Sequence, residues 1–162
     1  MSQTTEFKTG KIYATIFVAA SGFHYTLSLM MNKTTAKKLH ARELSPGNFV
    51  FEAANQTIAQ SNSLCVALEI GSMSSYSVEQ IIQLLQSIPM VLPECDVQTD
   101  GRFRCRVWLK QALRVLNLNG IIKCSDADKV VNGELKVLAK ENSDNVERGV
   151  GSFKVYVSRY SA

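Results

Sequence analysis

The spacing of apolar residues along this chain changes from strand-like to helical near its middle, and that change limits the folds open to it. Residues 11–20, KIYATIFVAA, are almost continuously apolar, as expected of a central strand covered on both faces. After Ser21-Gly22, the segment FHYTLSLMM alternates, with Phe23, Tyr25, Leu27, Leu29 and Met31 on one face and His24, Thr26, Ser28 and Met30 on the other. The odd positions face the core, so His24 points to the more polar side. Residues 33–43 are polar and basic and read as part of a loop over 32–47, ending in the turn Ser45-Pro46-Gly47-Asn48. NFVFEA and SLCVALEIG read as two further strands, and the short connections favour antiparallel pairing.

Beyond residue 76 the period becomes helical. SVEQIIQLLQSI places Val78, Ile81, Ile82, Leu85 and Ile88 on one face, with Ser77 as N-cap and Pro89 after the end. A second helix runs from Cys105 to Leu118, with Cys105, Trp108, Leu109, Ala112, Leu113 and Leu116 in one stripe and Asn119-Gly120 as the stop. Residues 126–140 predict a third helix interrupted at Gly133, and GSFKVYVSRY a closing strand. The sum is one α+β domain over residues 1–162, a mostly antiparallel sheet with packed helices.

At 162 residues, 46% hydrophobic and 20% charged, the chain can bury a core without disulfide staples. Its net charge is only +4, yet Arg102, Arg104, Arg106, Lys110 and Arg114 fall in one stretch without an acid, which predicts a local basic patch. Cys65, Cys95, Cys105 and Cys124 lie too far apart for metal-ligand spacing, so no metal and no cofactor is expected. Lys8 and Lys11 before IYATIFVAASG have the order of a secretory signal, but cleavage near Ala20 would remove a well-formed strand and Glu6 disturbs the basic region. The expectation is a cytoplasmic, thiol-reduced chain without a membrane span.

Chemistry is suggested by FRCRVWLKQAL, residues 103–113, where a cysteine between two arginines opens a helix. Unpaired N–H groups and the dipole at a helix start stabilise a thiolate, so Cys105 is expected to titrate below a free thiol. A base must accompany it. His40, in AKKLHAR, reads as a solvated surface residue, which leaves His24. An isolated helix cysteine or strand histidine is most often structural; the two together have the arrangement of papain-like thiol enzymes.

These residues also resemble a fungal domain family of unknown function, whose members carry an HW strand, an acidic strand and a GCRxWV motif. The counterparts here are FHYTLSL, NFVFEA and RCRVWL, with SVEQIIQLLQSI where that family has its own helix; the likeness spans most of residues 12–125. More distantly, histidine before cysteine resembles the circularly permuted NlpC-type papain-like fold, which includes acyltransferases and deubiquitinating or desumoylating peptidases. The resemblance implies Cys105 as nucleophile, His24 as general base and Glu52 as the residue that orients the imidazole. It implies an amidase or peptidase, thioesterase or acyltransferase acting on a small-molecule or peptide acyl substrate.

The sequence departs from the family at two places. Arg104 stands where a small residue is usual, and Tyr25 where tryptophan is. Arg104 could crowd the oxyanion position at the Cys105 N–H; equally, Arg102, Arg104 and Arg106 could bind a substrate carboxylate or phosphate. The alternative function is a non-catalytic binding protein on the same scaffold. A nucleic-acid-binding module ranks below both, because no aromatic stacking platform is interleaved with the basic residues.

Overall fold

The computed structural model describes residues 3–162 and holds a seven-stranded sheet with helices packed against it. The strands are β1 (Gln3–Thr4), β2 (Lys11–Ala19), β3 (Gly22–Met30), β4 (Ala36–Ser45), β5 (Asn48–Gln56), β6 (Leu64–Ser72) and β7 (Lys154–Val157), and the helices α1 (Val78–Leu85), α2 (Val97–Asp100), α3 (Cys105–Leu118) and α4 (Lys136–Glu147). The spatial order is β1-β7-β6-β2-β3-β4-β5, antiparallel throughout except for the parallel pair β6–β7. That exception follows from connectivity, since the chain crosses over through all the helices before β7 returns beside β6.

β2 is central and covered on both faces, as its apolar run requires. Ile12, Ala14 and Ile16 join Tyr25, Leu27 and Leu29 of β3 in the main core, against Trp108, Leu109, Ala112 and Leu113 of α3 and Ile81 and Leu85 of α1. Tyr13 and Phe17 turn the other way, into a smaller core with Phe7, Met30, Ile58 and Leu64. α1 forms at the expected place and carries a full capping box, with the Gln80 N–H donating to Ser77 Oγ and the Ser77 N–H donating to the Gln80 side chain.

Two expectations are corrected. Residues 36–45 are not loop but strand β4, paired along its length with β5 across the turn at Pro46-Gly47. Gly47 takes φ +79°, a conformation that costs a side-chain-bearing residue energy, and its N–H donates to Glu43 Oε2 at 3.0 Å. Nor does Gly133 interrupt a helix. It lies inside a π-helical turn, Lys129–Leu135, that runs directly into α4.

The sheet is open at one place that matters. The β3–β4 ladder runs only from Met30–Ala36 to Leu27–Leu39, whereas β3 continues to pair with β2 as far as Ala19–Gly22. The halves of β3 and β4 beyond Leu27 and Leu39 therefore line an opening in the sheet. Among the described residues, no helix is long and apolar enough to cross a membrane.

Candidate active site

Cys105 is the first residue of α3, as its apolar stripe predicts. Gly101, at φ +73°, ends α2 and turns the chain into Arg102-Phe103-Arg104, which leads into α3. Two aromatic contacts fix this end of α3 to the sheet. Phe103 meets Phe49 edge-on at 5.1 Å between ring centroids, and Trp108, fully buried, lies 5.9 Å from Phe51. Arg104 occupies the N-cap position in extended conformation, and no side chain caps the helix.

A cavity of about 340 Å³ opens beside Cys105. Phe23 and His24 of β3, Ala41 and Glu43 of β4, Phe49 of β5, and Arg102 to Cys105 line it. Cys105 and His24 thus border one space, although among the described residues no hydrogen bond joins the sulfur to the imidazole. Such bonds are often formed only once substrate is bound.

His24 is held by a partner that the sequence reading placed elsewhere. His40 is not a solvated surface residue; it is 4% exposed, and its Nδ1 lies 2.8 Å from His24 Nε2. His40 Nε2 in turn lies 2.8 Å from Glu52 Oε1, and Arg42 Nη1 donates to Glu52 Oε2 at 3.1 Å. Glu52 is therefore hydrogen-bonded to His40 and not to His24. The turn at Pro46-Gly47 indicates the hairpin, but its closing pair Ser45–Asn48 would set His40 opposite Ala53; a register shift between Glu43 and Ser45 brings His40 opposite Glu52 instead.

The chain of bonds also fixes the tautomers. The hydrogen bond from His40 holds the Glu52 carboxyl below its usual range, so Glu52 is an anion that only accepts. His40 then donates through Nε2 and accepts at Nδ1, so His24 donates through Nε2. The lone pair of His24 is left on Nδ1. Burial, with the charges of His40 and Lys38, pushes the His24 pKa down to about 4 against the opposing pull of Glu52. Burial lowers His40 as well, partly offset by its bond to Glu52. Both shifts favour the neutral ring.

The expectation that Cys105 titrates low is corrected. Burial raises its pKa, outweighing the backbone N–H groups of Tyr25 and Arg106 and the nearby Arg104 and Arg106 charges, all of which favour the thiolate. All four cysteines are free, and only Cys95 is exposed. At pH 6, iodoacetamide should therefore label Cys95 first, with Cys105 well behind and Cys65 and Cys124 slowest. Peptide mass mapping of a short time course reads the order. A Cys105 that outran Cys95 at pH 6 would mean a thiolate at rest, which these surroundings disfavour.

The basic patch is also corrected. Lys110 is fully buried and its Nζ meets Asp96 Oδ1, Asp100 Oδ2 and Asp128 Oδ1 at 2.8, 2.8 and 2.7 Å. Arg106 Nε donates to Asp100 at 2.7 Å, and Arg114 forms a two-pronged pair with Asp96 at 2.7 Å on each arm. Three of the five basic residues are thus neutralised inside the fold. Arg106 is no free substrate-binding cation, because Asp100 holds it, while Arg102 and Arg104 do border the cavity. No family model, curated protein or solved structure matches the chain.

Proposed function

We propose that the chain is a thiol-dependent acyl-transfer enzyme with a permuted papain-like arrangement, in which Cys105 is the nucleophile, His24 the base, and His40 and Glu52 the groups that hold the base. The observation that carries the reading is the hydrogen-bonded series His24–His40–Glu52 ending at a cavity that Cys105 also borders. A neutral base with its lone pair directed by two further residues is the organisation that nucleophilic catalysis requires.

In this reading the resting pair is thiol and imidazole, not thiolate and imidazolium. As the Cys105 sulfur attacks the substrate carbonyl, its proton passes to His24 Nδ1 and the S–C bond forms. The oxyanion is met by the Cys105 N–H, one of the first-turn donors that have no partner within the helix. The tetrahedral species collapses, the bond to the leaving group breaks, and that group takes the proton from His24. Water or an acceptor nucleophile then attacks the thioester with His24 as base again, releasing Cys105 as thiol.

Incubation with 4-nitrophenyl acetate tests this directly. An early release of nitrophenolate matched to enzyme concentration is expected, with one acetyl group on Cys105 by mass spectrometry and neither event in Cys105→Ala. Absence of any acyl adduct on Cys105 with this ester would favour the binding-protein alternative. Within the series, His40→Ala should lower kcat by about tenfold or more and Glu52→Gln by less, since each acts by holding the next group. Equal turnover in wild type and His40→Ala would remove His40 from the machinery.

A further inference from the structure

We infer that the acyl group this site accepts is short and ends in a carboxylate, held by Arg104 with help from Arg102; the inference rests on the acyl-transfer reading above. The cavity, at about 340 Å³, is at the small end for ligand sites and does not suit a long chain. Its apolar lining comes from Phe23, Phe49 and Phe103, which suits the methylenes of a compact acyl chain.

The charge at its mouth is selective. Of the five basic residues between 102 and 114, Arg106, Lys110 and Arg114 are matched by Asp96, Asp100 and Asp128. Among the described residues Arg102 and Arg104 have no carboxylate partner, and both line the cavity. Moreover, Arg104 Nε is buried and makes no hydrogen bond. A buried guanidinium donor without an acceptor carries a desolvation cost, which a bound carboxylate would remove while taking two parallel bonds. Of the buried polar atoms left unpaired in this way, Arg104 Nε is the one whose residue borders the cavity.

The size of the cavity sets the length. Cys105 and Arg104 both border it, so an acyl chain that joins the sulfur to the guanidinium within this space has to be short. Glu43 lines the cavity as well, with Oε2 accepting from the Gly47 N–H at the β4–β5 turn. Its charge disfavours a second anion near that turn and directs the substrate carboxylate toward the arginines.

The test compares 4-nitrophenyl hydrogen glutarate with 4-nitrophenyl valerate, esters of equal chain length that differ in the terminal carboxylate. The wild-type kcat/KM for the glutaryl ester should exceed that for the valeryl ester by about tenfold or more, chiefly through KM. In Arg104→Gln the ratio should fall toward one. Arg104→Lys should restore part of it, because the charge returns without the planar fork. Circular dichroism and a thermal melt confirm that each variant is folded.

Comparable kcat/KM for the two esters in wild type would overturn this inference and leave the acyl-transfer reading standing. If neither ester acylates Cys105, that reading fails, and glutarate binding to Cys105→Ala, followed by calorimetry, decides the inference alone. Binding that weakens in Cys105→Ala/Arg104→Gln supports it; no binding, or binding indifferent to Arg104, overturns it.

Discussion

Replacing Lys110 by methionine is expected to destabilise the protein by about 3–5 kcal/mol, the usual cost of removing one partner from a buried ion network. Lys110 is fully buried against three carboxylates, and methionine fills similar volume without answering their charge. Asp96 and Asp100 would keep Arg114 and Arg106 but lose the cation between them. The pH dependence identifies the cause. In the wild type, hydrogen bonds to Lys110 and the two arginines hold Asp96 and Asp100 below the ordinary carboxylate range despite burial. Their contribution is complete above the unfolded aspartate value of about 3.9 and is lost as pH falls through the lower folded values. In Lys110→Met the uncompensated carboxylates favour protonation, so the deficit should be largest at neutral pH and narrow on acidification. Urea melts at several pH values measure it; a deficit independent of pH would assign the loss to packing instead.

The same network shows why sequence reading found some features and missed others. β2 and α3 were readable because their apolar patterns are unmixed, and each packs as its pattern demands. β3 sends Tyr25, Leu27 and Leu29 into the main core as expected, but Thr26, Ser28 and Met30 on its other face are buried too, and Met31 is exposed beyond its end. β4 was not, because Lys37, Lys38, Arg42 and Glu43 obscure an alternation carried only by Leu39 and Ala41. Strand pairing decides its conformation, and pairing is a property of the whole sheet. His40 was misplaced for the same reason. Arg106, Lys110 and Arg114 repeat every fourth residue on one face of α3, and Asp96 and Asp100 share that spacing. Charges separated along the chain read as exposed patches until the fold brings them together. Cys105, His24 and Glu52 were named from motif and alternation. Only the fold interposes His40 between the last two.

His24→Ala is expected to reduce kcat/KM for 4-nitrophenyl acetate by about 10²–10⁴, the range that a positioned general base supplies. The fold should survive, since the ring lies outside the main core stripe of Tyr25, Leu27 and Leu29. Loss of rate alone would also follow from a purely structural role, so the pH profile carries the distinction. With His24 pushed down to about 4, the acid limb of kcat/KM should fall near pH 4, and rates should be flat toward neutrality. The groups that act on His24 then move the limb in opposite directions. Glu52 raises its pKa and His40 lowers it, so Glu52→Gln should shift the limb further into acid, whereas His40→Ala should shift it toward the ordinary histidine range. A structural defect would lower the rate at every pH and leave the limb in place. A wild-type limb near the ordinary histidine value, unmoved by either substitution, would mean that the base is some group other than His24.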